Sequence, residues 1–515
     1  MHRCLQILEI LEETFVHFGY PESADSKALA TLARTCKPFQ NPALNILWQH
    51  QSTLMNLLRC LPEDALDRTA TQTPRFLRPL VAADWNRPRE YAHRVKEFVA
   101  SHWFNSMAEI LPALAESFPN SSFLPNLVHL EWDGRQCQSM DLLLSPTLQK
   151  INVVCSSSAV ELAHLSDWAR KYHGTLKEVE IWFMLLPGGQ NDVTAGVKMC
   201  ALIRELREVE SLKIQQELDH ESLVHVARLE SMHILSVPSL EVGAPVSSDV
   251  GTWFPNLQVV HIGSISPSSA VHFLRRSADA PFENISLGFY PYASPGEMEL
   301  LASTLTSCER ARPALHSLKL VNHSHVEDEP GDRRTFTSQF LRTLYCFQNL
   351  RQLHLVSWRG CDFDDEDLSD LAHAWPHLTV LALQNGTRIS EEPPRVTFHS
   401  LLTLAAHCPY LESLEIEFDS RNVPSHTTED GSSPIRQTSL KSLDVLHSAI
   451  LAADVSHIAD CLSTLFPNLC EIHTAAEPWL EPEEIEDALL DEEIEYHWRW
   501  RELGENMNTA REEGR

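Results

Sequence analysis

Residues 367–383 read Asp-Leu-Ser-Asp-Leu-Ala-His-Ala-Trp-Pro-His-Leu-Thr-Val-Leu-Ala-Leu, and they contain one complete structural unit. From Leu368 to Trp375, apolar residues recur at positions i, i+3, i+4 and i+7, which is the spacing of one face of a helix. After the proline, Leu381 and Leu383 alternate with other residues, which is the spacing of a strand with one buried face. The stretch therefore predicts a helix, a turn and a short strand.

The strand half of this unit, Leu-x-x-Leu-x-Leu or an apolar variant of it, recurs about thirteen times between Leu127 and Thr474, at a mean step of about 28 residues. One such strand cannot bury its leucines alone, but stacked neighbours bury them in a continuous row. The pattern predicts an α/β fold: a leucine-rich-repeat solenoid over residues 121–476, with parallel strands on the concave face and helices on the convex face. The clearest copies begin at Leu127, Leu315, Leu350, Leu378, Leu411 and Leu440.

The segments on either side of the repeats have a different pattern. Residues 1–60 predict three short helices, the third beginning at Pro42, and a helical domain of this size gains from a partner that covers its apolar surface. Residues 61–120 are predicted to form a linker and N-terminal cap helices. Residues 477–515 carry fourteen acidic and four basic residues, and they predict an acidic helix with a disordered tail.

Three stretches of the N-terminal domain carry a family resemblance. Ile7–Phe18, Ala28–Phe39 and Ala43–Trp48 resemble the opening, middle and end of an F-box. The whole chain is similar to the F-box and leucine-rich-repeat proteins that are abundant in fungi. These proteins usually have Leu-Pro or Ile-Pro near the start of the F-box, and here Leu8 stands where the proline is expected.

The resemblance implies that the first domain binds a Skp1-like adaptor and, through it, a cullin complex. The family's adaptor-facing positions carry over to Ile7, Leu8, Ile10, Leu11, Phe15 and Phe18, with Leu32, Cys36, Phe39, Leu47 and Trp48 shared between contact and core. The alternative is that all of these residues only form the helical core.

The residues midway between the strand leucines are expected to line the concave face, because side chains alternate along a strand. They form a row that is acidic near both ends and mixed to basic in the middle. This row is either a groove for a peptide or protein of acidic character or a solvated face without ligand preference; its charged members are Glu131, Glu180, Lys213, His261, Lys319, His354, Glu415 and Asp444. Trp182 and Trp358 lie near strand ends and are either anchors or core.

Composition and motifs argue against several classes of function. The formal charge of −30 argues against nucleic acid and anionic membranes as partners, and the twelve cysteines contain no Cys-x-x-Cys pair. No signature of catalysis, cofactor binding or metal ligation is present, so we expect no enzyme, no cofactor and no metal site. The N-terminus does not resemble a signal peptide, and the compartment is expected to be cytoplasmic or nuclear.

The sequence leaves two functions open. The first is a non-catalytic substrate receptor of a Skp1–cullin–F-box type ubiquitin ligase, in which the repeats hold an unknown target protein. The second is a leucine-rich-repeat interaction scaffold without ligase association.

Overall fold

The computed structural model separates into two compact units, Met1–Met232 (unit 1) and His233–Arg515 (unit 2). No helix in the part of the chain that it describes is both long enough and apolar enough to cross a membrane. The described residues are 7–18, 26–67, 75–100, 110–118, 122–134, 142–155, 159–172, 174–183, 193–243, 252–322, 335–357, 359–385, 394–421, 423, 435–475 and 491–513.

Unit 1 begins with three helices and continues as parallel strands that alternate with helices. Its strands pair in chain order from β1 to β6. The helices are α1 (Leu8–Val16), α2 (Ser26–Thr35), α3 (Lys37–Gln49), α4 (Met55–Leu58), α5 (Asn86–Ala92), α6 (Ile110–Ser117), α7 (Ala159–Lys171), α8 (Val193–Glu205) and α9 (His220–Ala227). The strands are β1 (His50–Gln51), β2 (Glu97–Ala100), β3 (His129–Gly134), β4 (Lys150–Cys155), β5 (Glu178–Phe183) and β6 (Ser211–Ile214).

Unit 2 repeats the same strand and helix alternation. The strands are β7 (Ile234–Leu240), β8 (Val259–Ile265), β9 (Asn284–Phe289), β10 (Ser317–Asn322), β11 (Phe336–Thr337), β12 (Gln352–Ser357), β13 (Cys361–Asp362), β14 (Val380–Asn385), β15 (Ser413–Ile416), β16 (Ser442–Asp444) and β17 (Glu471–His473). The helices are α10 (Pro267–Arg276), α11 (Pro295–Thr306), α12 (Ala311–Ala314), α13 (Ser338–Leu344), α14 (Asp365–Ala374), α15 (Phe398–His407), α16 (Val455–Leu465) and α17 (Asp491–Glu513). Strands β11 and β13 form a separate parallel pair, and the other nine pair in chain order.

The strand leucines form the core of both units. Each of the thirteen predicted copies of the motif forms a strand, which confirms the leucine-rich-repeat-like parallel fold. In unit 2, Leu318, Leu353 and Leu381 face one another in register on β10, β12 and β14, and all three are buried. Leu130 and Ile151 hold the equivalent positions on β3 and β4 of unit 1.

Two features of the structure differ from the sequence prediction. Strands β1 and β2 pair with each other and with β3, although they lie within the segments predicted as helical domain, linker and cap. Helix α3 begins at Lys37 rather than at Pro42, and Pro42 is buried inside it. Pro38 occupies the first turn of α3, where a missing N–H loses no helical hydrogen bond, so the helix can start earlier than predicted.

The C-terminal helix packs on the last strand of unit 2. Trp500 is buried, and its indole Nε1 donates a 2.8 Å hydrogen bond to the Ser448 carbonyl. A Cβ placed on Gly504 would lie 3.5 Å from Ile472 of β17, so the helix backbone approaches this strand closely. The tail predicted to be disordered instead continues this helix to Glu513. Packing of α17 protects an edge strand that would otherwise expose its backbone groups.

Candidate binding surfaces

Helices α1–α3 form a small domain, called the helical head below, with its own core. Leu11 and Phe15 of α1 pack with Leu29 of α2 and with Ala43 and Ile46 of α3, and all five side chains are buried. The alternation of buried and exposed positions along α1 follows the helical repeat, because only one side of it faces the other two helices.

The first turn of α1 exposes apolar side chains that this core does not use. Ile7 is 45% exposed, Leu8 51% and Ile10 41%. Val16, at the end of the helix, is 44% exposed and was not singled out from the sequence. These four side chains are available to a partner.

The remaining residues predicted to contact the adaptor are buried or partly buried in the structure. Leu11 and Phe15 were predicted to face the adaptor, but they lie in the core of the head and expose almost no surface, because they occupy the side of α1 that packs on α2 and α3. Four of the other predicted residues are partly buried against that core: Phe18, Leu32, Phe39 and Leu47. Cys36 and Trp48 are also partly buried.

The helical head is joined directly to the strands of unit 1. Helix α3 ends at Gln49, and β1 begins at the next residue. Trp48 stacks on Tyr91 of α5, with ring centroids 4.5 Å apart and planes inclined by 21°. The Arg94 guanidinium donates hydrogen bonds to the side-chain oxygens of Asn41 and Asn45. The head therefore contacts the segment that leads into β2.

The strand face of unit 1 is the side on which the predicted row lies. The row Glu131, Asn152, Glu180 and Lys213 is in register across β3–β6. Two of its charges are paired with each other: the Lys213 Nζ lies 3.7 Å from a Glu180 carboxylate oxygen. The Trp182 indole donates a 2.7 Å hydrogen bond to the same carboxylate, which fixes this side chain at the end of β5.

The strand face of unit 2 carries the second part of the row. The residues are in register on successive strands, β7–β10, β12 and β14–β17. In chain order they are Ser236, His261, Ser286, Lys319, His354, Ala382, Glu415, Asp444 and His473. The row thus changes from cationic to anionic at Ala382.

The cationic part centres on Lys319. Ser286 and His354 flank it on β9 and β12, and His261 follows on β8, where its Nδ1 lies 3.0 Å from the Ser286 Oγ. In the described part of the chain, no hydrogen bond or ion pair joins the Lys319 side chain to another residue. Partial burial and then the positive charge of Lys319 lower the pKa values of His261 and His354.

The anionic part consists of Glu415 and Asp444 on neighbouring strands. The Gln384 amide donates a 2.8 Å hydrogen bond to Glu415, and the backbone N–H of Leu446 donates a 2.9 Å bond to Asp444. Burial raises the pKa of both carboxyl groups, and the charge of Asp444 raises that of Glu415 further. Among the described residues, neither has a lysine or arginine ion-pair partner.

Two residues of this face were not identified from the sequence. Gln384 lies two positions after Ala382 on β14, so strand alternation places it on the same side as the row, and Tyr290 follows the last residue of β9. Tyr290 is 61% exposed at the end of β9, where its N–H still bonds to Ile265 of β8. Counting on by two from Ala382 would have found Gln384. Trp358 lies outside the described residues.

The strand faces are suited to binding. The charged groups lie on separate strands of an open face. In the described ranges, no group of three or more His, Cys, Asp or Glu side chains could hold a metal ion. The acidic run 362–367 instead starts α14, where the Asp364 carboxylate accepts hydrogen bonds from the N–H groups of Glu366 and Asp367. Arg395 pairs with Asp362 and Asp364 at 2.9 and 2.6 Å.

The comparisons with known proteins give a distant structural likeness and no sequence match. No family model matches this sequence, and no curated protein matches it in sequence. A chain from the crystal structure of the Rad7 and Elc1 complex in yeast is 13% identical, with a TM-score of 0.32; the match covers 92% of this chain and 91% of that one. A likeness at this level assigns no function.

Proposed function

We propose that this chain is a non-catalytic substrate-recognition subunit of a Skp1–cullin–F-box type ubiquitin ligase. The helical head would bind the Skp1-like adaptor, and the strand faces would hold a target protein. The chemistry of ubiquitin transfer would belong to other subunits. This chain would act by tethering, which raises the effective concentration of the target near the transfer machinery.

The observation that carries this proposal is the exposed first turn of α1. The core of the head is complete without Ile7, Leu8 and Ile10, which remain 41–51% exposed. Full burial of a large apolar side chain is worth about 1.5–3 kcal/mol. Three such side chains close together on a small domain favour a partner that covers them. The resemblance to an F-box supports a Skp1-like adaptor as that partner.

A second candidate, a repeat scaffold without ligase association, is favoured by a different observation. The head is bonded to its own unit through Arg94 with Asn41 and Asn45, and through the Trp48–Tyr91 stack. These contacts support a head that serves only to cap the first strand. The exposed first turn of α1 is not part of them, so the two candidates predict different outcomes for variants of that turn.

The test is a pull-down of a purified Skp1-like adaptor with the full chain and with a Leu8→Asp, Ile10→Asp double variant. We expect the variant to lose adaptor binding while its melting temperature stays unchanged, because both side chains are exposed. Leu300→Asp is the matched control, since Leu300 is 46% exposed on α11 and far from the head in sequence. Equal binding by the double variant and wild type would remove the first turn of α1 from the proposal.

A further inference from the structure

Opposite charges lie on separate strands of the strand face of unit 2. Their positions indicate what kind of peptide segment this face can bind. Lys319 lies on β10, flanked by Ser286 and His354, and its side chain has no ion-pair or hydrogen-bond partner among the described residues. Glu415 and Asp444 lie on β15 and β16 without a lysine or arginine partner in the same ranges. Ala382 separates the two groups and is buried, so the middle of the face carries no charge.

Unit 1 offers an internal control for this pattern. There the row lysine, Lys213, lies 3.7 Å from Glu180 on the adjacent strand, and Lys150 lies 2.9 Å from Glu178. Opposite charges on neighbouring strands satisfy each other and need no partner. Unit 2 has the same kind of strand ladder, but its row places Lys319 three and four strand gaps from Glu415 and Asp444, so these side chains form no direct ion pair.

Resting on the proposed role of the repeats in target binding, we infer that the strand face of unit 2 holds an extended peptide segment of the target that crosses the strands. This segment carries one or more acidic side chains over Lys319. It carries a basic side chain over Glu415 and Asp444.

The strand geometry sets the spacing of those charges. Neighbouring strands lie about 4.8 Å apart. Lys319 and Glu415 are separated by three strand gaps, or about 14 Å, and Lys319 and Asp444 by four, or about 19 Å. An extended chain advances about 3.3 Å per residue. The acidic and basic residues of the segment are therefore about four to six positions apart.

Both ends of the face offer chemistry that suits this segment. At the cationic end, the Lys319 ammonium can donate to a carboxylate, and the neighbouring His354 imidazole and Ser286 hydroxyl can add neutral donors. At the anionic end, a lysine or arginine would supply the positive charge that Glu415 and Asp444 lack. Burial raises the pKa of both carboxyl groups, and a cation of the segment placed beside them would act in the opposite direction.

The test is a selection of random peptides of about a dozen residues, displayed on phage, against the full chain at low ionic strength, where charge interactions are least screened. We expect the retained peptides to be enriched in an Asp or Glu and a Lys or Arg about four to six positions apart. Peptides without that spacing, or no retained peptides, would overturn the inference.

Point variants then test whether the retained peptides bind at Lys319 and Glu415. Fluorescence anisotropy of one retained peptide should show Lys319→Glu and Glu415→Lys each weakening binding about tenfold or more, because like charges would face each other. Lys441→Glu is the control, since Lys441 pairs with Glu412 at 3.0 Å outside the row and should leave binding unchanged. Unaltered binding by Lys319→Glu would contradict the inference. Adaptor pull-down with the same preparations reports separately on the proposed ligase role.

Discussion

The strand faces of the two units have the same kind of parallel strand pairing and differ in how they arrange charge. In unit 1, Lys213 faces Glu180 on the next strand. In unit 2, Lys319 faces His354 on one side and Ser286 on the other, and the carboxylates lie strands away. The apolar rows beneath both faces are equally buried. The fold therefore needs the apolar rows and tolerates either charge arrangement.

The largest difference in stability is expected between substitutions on the two sides of one strand, β12. Leu353→Asp should destabilise unit 2 by about 4 kcal/mol or more, because it places an unpaired charge in the buried row. His354→Asp, one residue later on the strand face, should change stability little. Thermal unfolding followed by circular dichroism measures both. Similar losses for the two variants would show that the assignment of faces is wrong.

A smaller difference in stability is expected between substitutions of Lys213 in unit 1 and Lys319 in unit 2. Lys213→Met removes a partly exposed ion pair and should lower the free energy of unfolding by about 0.2–1 kcal/mol. Lys319→Met removes an unfavourable interaction with His261 and His354 together with a longer-range attraction to Glu415, so its effect on stability should be smaller than that of Lys213→Met. Urea unfolding of the two variants makes the comparison. A loss at Lys319 as large as that at Lys213 would reveal a partner for Lys319 that this account lacks.

The same substitution should move histidine titrations in unit 2. Lys319 contributes to the lowered pKa of His354, so Lys319→Met should raise that pKa, although burial, the larger cause, will keep it below the usual value. NMR titration of imidazole-labelled chain measures the shift. Lys213→Met is the control and should leave His354 unaffected. An unchanged His354 titration in Lys319→Met would place the two side chains out of electrostatic reach.

The smallest effect concerns the pH dependence of stability. The folded pKa of Glu415 is raised, so its contribution to stability is greatest at low pH and is lost as pH rises through the folded pKa. Glu415→Gln should therefore raise the melting temperature at pH 7, and this gain should vanish below about pH 4. Glu180→Gln in unit 1 should show no gain, because it weakens the pair with Lys213. A gain for Glu415→Gln that persists at low pH would require another cause.

Much of this architecture could be predicted from the sequence, because the leucine spacing is dictated by burial. Leu350-x-x-Leu353-x-Leu355 becomes β12, and the same reasoning places the row residues in register. Strands β1 and β2 lack the motif and are two and four residues long, so periodicity could not reveal them. The burial of Leu11 and Phe15 depends on how three helices pack, which the spacing along α1 alone does not determine.

The candidate surfaces were only partly predictable. Row positions follow from counting along each repeat, and the Glu180–Lys213 pair could have been inferred from their equivalent positions in consecutive repeats. The sequence could not predict which residues of the head form its core and which are available to a partner. Leu8 and Leu11 are the same residue type and differ only in exposure, 51% and 2%.

The most direct test of the proposed function is a calorimetric titration of a Skp1-like adaptor into the full wild-type chain. The account predicts one adaptor per chain, a dissociation constant in the micromolar range or tighter, and a negative heat-capacity change from the burial of Ile7, Leu8 and Ile10. A chain that melts cooperatively and yet gives no binding heat at several temperatures would contradict the ligase-receptor role and favour the scaffold.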